Sequence, residues 1–144
     1  MARLQSAVGG TLVLDAEGLV KLSSGDPRVV ARAKKAYARD ADIVTAATTL
    51  TEVLRGGRRD APVHQVLRKV RVISIHAEQA RAAGELLGKT GLSGHRCALD
   101  AVLATVALAQ PRPVVLLTSD ADDMAQLTEE PGRPGRERIA IVRI

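Results

Sequence analysis

Apolar residues fall into five short runs, and longer stretches of mixed apolar and polar residues separate these runs. The runs are rich in Val, Ile and Thr, which favour β-strands, and each has the length of one strand. They cover residues 11–15, 42–46, 71–75, 113–118 and 138–144. Strands that alternate with helical segments are typical of α/β proteins. The sequence therefore predicts a single domain in which a mainly parallel sheet of about five strands lies between helices.

The stretches between the runs repeat apolar residues at helical spacing. The first predicted helix starts within residues 17–22, and the others cover 29–41, 48–57, 62–69, 76–91, 97–109 and 122–128. The segment 97–109 is apolar almost all round, which predicts a buried helix. Residues 131–135 predict a loop. Residues 1–10 precede the first run, and we expect them to form a leader to a domain that spans residues 11–144.

Composition limits the kind of core and the kind of ligand contact. The chain has 144 residues, of which 46% are apolar and 26% charged, and this is enough for one soluble domain with its own core. It contains one Tyr and no Phe or Trp, so the core must be aliphatic. Modules that bind single-stranded nucleic acid by stacking bases on aromatic side chains are therefore excluded.

Basic residues outnumber acidic ones, 21 to 16, which gives a net charge of +5. They cluster at residues 32–39, 55–59 and 68–71. Such a balance suits a polyanionic partner such as nucleic acid, although solvated helix faces account for the same clusters equally well.

No secretory signal and no apolar stretch long enough to span a membrane are found in the sequence. The single Cys97 excludes an internal disulfide and a Cys-based zinc site, and it fits a reducing compartment. We expect a cytoplasmic protein without membrane contact.

Four acidic residues lie either at the carboxyl ends of predicted strands, where α/β sheets form their sites, or on helices that could face those ends. Asp15 and Asp120 follow the first and fourth predicted strands. Glu52 lies at a helix start, and Asp100 lies on the apolar helix. Carboxylates that converge with no His or Cys among them form an all-oxygen pocket suited to Mg²⁺ or Mn²⁺, and the cation removes their mutual repulsion. The acid pattern therefore predicts a divalent metal site.

Each acid also has a purely structural interpretation. Asp15 and Asp120 are good helix N-caps. Glu52 stands three residues after Thr49, as in a capping box. Asp100 has Arg96 one helical turn before it, and the two could form a structural ion pair.

Four motifs carry these acids in order along the chain: LVLDAEGL, LTEVLRG, LDAVLATVAL and LLTSDADDM. Together they resemble the PIN-domain ribonucleases, and in particular the VapC-type toxins of bacterial toxin–antitoxin pairs. Two features depart from the family pattern: the leader at residues 1–10, and His95 with Arg96 just before the third acid.

The resemblance implies a metal-dependent endoribonuclease with one or two Mg²⁺ or Mn²⁺ ions, a homodimer, and a cognate antitoxin that blocks the pocket. It implies that the metal ligands are Asp15, Glu52, Asp100 and Asp120, with Asp123 as a further candidate. Thr118 or Ser119 would assist a ligand or a substrate phosphate. The basic side chains of Arg55, Arg58 and Arg59 would guide RNA toward the acids.

Other functions explain the sequence less well. A haloacid-dehalogenase-type phosphatase needs two Asp residues separated by one residue after the first strand, and this chain has Asp15-Ala16-Glu17. A response-regulator receiver needs a Lys after a late strand, and no Lys follows Lys89. The alternative from another class is a catalytically silent PIN-like module that binds RNA or a protein.

Overall fold

All five apolar runs form strands of one sheet in the computed structural model, which describes residues 9–144. The strands are β1 (Thr11–Leu14), β2 (Asp42–Ala46), β3 (Arg71–Ile73), β4 (Val114–Thr118) and β5 (Ala140–Arg143). Their order across the sheet is β3-β2-β1-β4-β5, and every neighbouring pair is parallel. The predicted α/β fold with a five-stranded, parallel sheet is confirmed. The leader expected at residues 1–10 falls, apart from Gly9 and Gly10, outside the described residues.

Seven α-helices connect and cover the strands within residues 9–144. They are α1 (Ala16–Ser24), α2 (Pro27–Ala38), α3 (Thr49–Val53), α4 (Ala61–Leu67), α5 (Ala77–Thr90), α6 (Gly94–Leu108) and α7 (Ala121–Leu127). Short 3₁₀ turns span Arg58–Asp60 and Gly135–Glu137. Helix α6 begins three residues before the predicted start, since the Ser93 hydroxyl accepts a hydrogen bond from the Arg96 N–H at 3.4 Å and caps the helix.

The strands bury side chains on both faces of the sheet, which explains their nearly continuous apolar sequences. Val13, Val44 and Leu116 face the layer that contains α5, α6 and α7. Leu12 and Leu117 face the layer that contains α1, α2 and α4. Two aliphatic cores therefore hold the sheet between two helical layers.

Helix α6 contributes three alanines to the core that it shares with the sheet. Ala101, Ala104 and Ala107 recur every three residues and are completely buried in the core on the α5 side of the sheet. By contrast, Leu99 is partly exposed, so the prediction that the whole segment 97–109 is buried holds only for one side of the helix. None of the helices in residues 9–144 combines the length and apolarity that a bilayer crossing requires.

The backbone at Gly10 passes close to that at Pro113. Gly10 has a positive φ of 87°, and a Cβ atom there would overlap the Pro113 carbonyl. Immediately after it, the Thr11 N–H donates to the Pro113 oxygen at 2.9 Å and begins the pairing of β1 with β4. A glycine is therefore required for the two central strands to meet at this end.

We predict that Gly10→Ala destabilises the fold much more than Gly25→Ala does. Gly25 has a similar φ of 79° but open space around it, so alanine there costs about 1–2 kcal/mol for the left-handed backbone alone. Steric overlap at Gly10 should add roughly a further 1–3 kcal/mol. Urea denaturation of both variants measures the difference, and equal unfolding free energies would contradict the close approach.

Candidate active site

The carboxylate of Asp15 connects the ends of β1 and β4. It is only 6% exposed. Its Oδ1 accepts from the Gly18 N–H at 2.8 Å and caps α1, and its Oδ2 accepts from the Ser119 N–H at 2.9 Å. The helix-capping interpretation of Asp15 is therefore correct. It leaves further acceptor positions on both oxygens, because a carboxylate has about four lone-pair sites.

Glu52 lies on α3, directly beyond the end of β2. This end is tied to β1, because the Thr45 hydroxyl donates to the Leu14 carbonyl oxygen at 2.8 Å. The capping box with Thr49 does not form: the helix starts one residue earlier, at an N-cap Thr48 without a side-chain cap bond. Partial burial, followed by the negative charges of Asp15 and Asp120, raises the pKa of Glu52. Glu52 therefore lies within reach of the charges of these two acids.

Asp100 lies on α6 and completes the group. Burial first, then the charges of Asp120, Glu52, Asp15 and Asp123, raise the pKa of Asp100 to about 6. No ion pair joins it to Arg96 in the part of the chain that the structure describes. The alternative of a structural ion pair is therefore wrong.

Asp120 begins α7, but its side chain makes no capping hydrogen bond. Instead its own N–H donates to Thr118 Oγ1 at 2.9 Å, and this orders the turn that follows β4. The helix-capping interpretation therefore fails for Asp120, whereas it holds for Asp15. Its carboxylate remains available to the group formed by Asp15, Glu52 and Asp100.

The next two acids of α7 point in different directions. Asp122 is 92% exposed and forms an ion pair with Arg143 at 3.0 Å, so it lies outside the acid group. Asp123 is half-buried, and its Oδ2 lies 3.8 Å from the Cys97 sulfur. Of the acids that follow β4, Asp120 and Asp123 thus belong to the site.

Cys97 lies at the site, contrary to the expectation of a pocket without Cys. One ligand atom each of Cys97, Asp100 and Asp123 lies within 4.8 Å of the other two. Burial, followed by the charges of Asp123 and Asp100, raises the pKa of the Cys97 thiol. A neutral thiol is a poor metal ligand, so the carboxylates dominate the chemistry. The signal in the sequence was the spacing of three between Cys97 and Asp100, which puts both on one helix face.

The basic and hydroxyl side chains predicted to assist the acids lie in three different settings. Thr118 is buried and bonded to Asp120, and Ser119 contributes its backbone N–H to Asp15. The Arg55 guanidinium bonds backbone carbonyls of α3. Arg58 and Arg59 are exposed on the 3₁₀ turn that follows.

The donor set fits a hard divalent cation. The charges of Asp15 and Asp120 raise the pKa values of Glu52 and Asp100, and none of the four acids pairs with a Lys or Arg in residues 9–144. Like charges gathered without a counter-ion destabilise the fold, and oxygen-rich clusters of this kind suit Mg²⁺ or Mn²⁺.

The fold and this acid pocket together define an α/β nuclease of the PIN type. The chain belongs to the PIN-domain family, since the family's sequence profile matches residues 12–130. This confirms the resemblance that the four motifs indicated.

Three of the solved structures to which this chain is similar in fold come from bacteria. VapBC2 from Rickettsia felis, bound to a DNA fragment from its promoter, has a TM-score of 0.62 and 16% identity, over 92% of this chain and 98% of that chain. A toxin–antitoxin complex from Klebsiella pneumoniae has a TM-score of 0.60 and 20% identity, over 89% and 99%. VapBC-1 from nontypeable Haemophilus influenzae has a TM-score of 0.62 and 15% identity, over 92% and 97%. Among curated proteins, none matches this chain significantly.

We predict that removing the Asp100 charge stabilises the metal-free protein at neutral pH. A folded-state pKa of about 6, against an ordinary value of 3.8, gives stability that is present below about pH 3.8 and lost as the pH rises through 6. In EDTA, Asp100→Asn should match the wild-type protein near pH 4 and exceed it at pH 7 by about 1–2 kcal/mol after screening.

Thermal unfolding from pH 4 to pH 7 measures this difference. Asp122→Asn is the matched control, because Asp122 lies on the surface outside the acid group. A wild-type protein that is as stable as Asp100→Asn at pH 7 would show that Asp100 is not repelled by its neighbours.

Proposed function

We propose that the protein is a metal-dependent endoribonuclease and the toxin of a type II toxin–antitoxin system. The observation that supports this most strongly is the convergence of acids from four separate segments at the carboxyl edge of a PIN-domain sheet. Membership of the family provides the nuclease activity in general; the metal, the RNA substrate and the toxin role are the parts that we propose.

In this proposal Asp15, Glu52, Asp100 and Asp120 are the ligands of Mg²⁺ or Mn²⁺, and Asp123 supports them. A bound divalent cation would neutralise charge at the scissile phosphate and acidify a water molecule. The protein's own task is positioning. The Ser119 N–H holds Asp15, and the Thr118 hydroxyl holds the turn that carries Asp120. This fixes the Asp15 carboxylate and the backbone of Asp120 before substrate arrives.

The RNA substrate would be bound through its backbone. The pocket itself is negative and repels phosphate, so attraction must come from basic residues at its rim. Arg58 and Arg59 follow the helix that carries Glu52, and both side chains are exposed. The sequence contains no Phe or Trp on which bases could stack, which again favours phosphate contacts.

A cognate antitoxin and a second copy of the chain are the proposed protein partners. The similar solved structures are toxin–antitoxin complexes, which supports an antitoxin for this chain. Leu99, beside Asp100, and Val20 on α1 are large apolar side chains that remain exposed. Such residues suit protein contacts. The free Cys97 thiol supports a reducing, cytoplasmic setting.

We predict that the purified protein cleaves RNA with Mg²⁺ or Mn²⁺ and that EDTA abolishes cleavage. Glu52→Gln and Asp100→Asn should each lower the rate at least about a hundredfold, since loss of groups that only support a metal ligand already costs 10–100-fold. Asp122→Asn should cleave normally. Gel analysis of a labelled RNA measures all four proteins.

The silent-module alternative gives a different result in the same assay. RNA binding that survives EDTA and both substitutions, with no cleavage by the intact protein, would support it. The melting temperature of each variant must be measured alongside, so that a loss of folding is not mistaken for a loss of catalysis.

The toxin role is tested in cells. Induced expression should stop growth, and Asp100→Asn should relieve the arrest. Co-expression of a small antitoxin from an adjacent reading frame should do the same. Normal growth with high levels of folded, RNA-cleaving protein would contradict the toxin role while leaving the nuclease activity intact.

A further inference from the structure

The segment Arg55–Asp60, sequence RGGRRD, forms a sharp turn directly after the helix that carries Glu52. Gly56 and Gly57 have φ values of 87° and 88°, a conformation that strongly favours glycine. Neither glycine has an atom near the position of a Cβ, so this side of the turn faces open space. We call this segment the RGGRRD loop.

The buried side chain of Asp60 binds the backbone at the start of the loop. It is 5% exposed, and its Oδ2 accepts from the Arg55 N–H at 3.0 Å and from the Gly56 N–H at 2.6 Å. No Lys or Arg forms an ion pair with it in residues 9–144. A buried carboxylate without such a partner is costly unless donors surround it, so the backbone is held tightly around this one oxygen.

The side chain of Arg55 is occupied within the protein. Its Nη1 donates to the carbonyls of Thr51 at 2.8 Å and Leu54 at 2.7 Å, and its Nη2 donates to that of Glu52 at 3.0 Å. These contacts satisfy carbonyls at the end of α3 and place positive charge there, as a helix C-terminus favours. Arg55 thus belongs to the support of Glu52 rather than to an RNA surface.

Arg58 and Arg59 differ from Arg55 in having no such contacts. Both are exposed, and neither side chain makes a hydrogen bond or an ion pair within the described residues. Their backbone is nevertheless fixed, since the two residues and Asp60 form one 3₁₀ turn. Two adjacent guanidinium groups on a fixed backbone suit the oxygens of successive phosphates.

We propose that the RGGRRD loop is an RNA-phosphate contact at the rim of the acid pocket and that Asp60 is its positioning residue. Arg58 and Arg59 bind the backbone of the substrate, whereas Arg55 holds the loop onto α3. The inference rests on the proposed nuclease function, because it assigns the loop to the same substrate.

Replacing Asp60 with alanine should weaken RNA binding, although loss of its negative charge alone would strengthen it. Removing an acid from a protein usually strengthens RNA binding, because repulsion falls. If Asp60 positions the loop, Asp60→Ala should raise the KM for RNA about threefold to fivefold, as should Arg58→Ala and Arg59→Ala singly. Asp60→Asn removes the same charge but keeps an oxygen acceptor, and it should retain a KM near that of the wild type.

Three readouts separate positioning from a general loss of stability. The kcat values should stay unchanged, and each arginine substitution should reduce the salt dependence of RNA binding by about one unit of slope. Adding Asp60→Ala to the Arg58→Ala/Arg59→Ala double variant should not raise the KM any further. Arg136→Ala, in the turn before the amino end of β5, is a charge-matched control that should leave the slope unchanged.

The outcomes distinguish the loop from the nuclease function. Suppose that the wild type cleaves RNA and that the KM of Asp60→Ala is equal to or lower than that of the wild type. This result would overturn the proposed role of the RGGRRD loop but not the proposed nuclease function. A further increase in KM when Asp60→Ala is added to the Arg58→Ala/Arg59→Ala double variant would also overturn this role of the loop. If the wild type does not cleave RNA, the proposed function fails, and fluorescence anisotropy of the same RNA in EDTA tests the loop by Kd. Equal Kd values for all variants would then overturn it.

Discussion

The two hydrogen bonds to the Asp15 carboxylate are the contacts on which the geometry of the pocket depends. One oxygen holds the start of α1 and the other holds the turn after β4, so a single side chain joins two segments that are 104 residues apart in sequence. The Thr45 hydroxyl ties β2 to β1 in the same region. Asp120 and Glu52 thereby reach Asp15 on well-fixed backbones, and α6 brings Asp100 to the same place.

The grouping of acids that the proposed function requires lowers the stability of the fold. The folded chain brings together carboxylates that repel one another and removes some of their water, which is why the pKa of Asp100 rises to about 6. The two aliphatic cores and the parallel sheet provide the stability that keeps these groups in place. A divalent cation would remove the repulsion, so ligand binding and fold stability are linked.

Much of the fold could be predicted from sequence because parallel strands that are buried on both faces are simple apolar runs. The four acids were identifiable because they follow strands or interrupt an apolar helix. Their structural roles could not be separated by pattern alone. Asp15 and Asp120 both precede helices, yet only Asp15 makes the capping bond. Only the structure shows the difference: the Asp15 carboxylate accepts from the Gly18 N–H, whereas the Asp120 side chain accepts no capping bond and its N–H donates to Thr118 Oγ1.

Other details also depended on three-dimensional neighbours. The capping box at Thr49 and Glu52 fits the sequence rule, but α3 begins one residue too early for it. Cys97 enters the site because Asp123 of α7 lies beside the helix face that Cys97 shares with Asp100, and the sequence does not show that contact. The three arginines after Glu52 look equivalent in sequence, whereas Arg55 alone folds back onto the helix end.

The buried alanines of α6 influence where this helix places Asp100. Ala101, Ala104 and Ala107 lie fully buried in the same core as the strands, beside the larger Leu103 and Val106 of the same helix. A leucine-lined helix would stand farther away, because interaxial spacing grows with the side chains at the contact. The small size of these three buried side chains therefore helps to keep α6, and with it Asp100, close to the sheet.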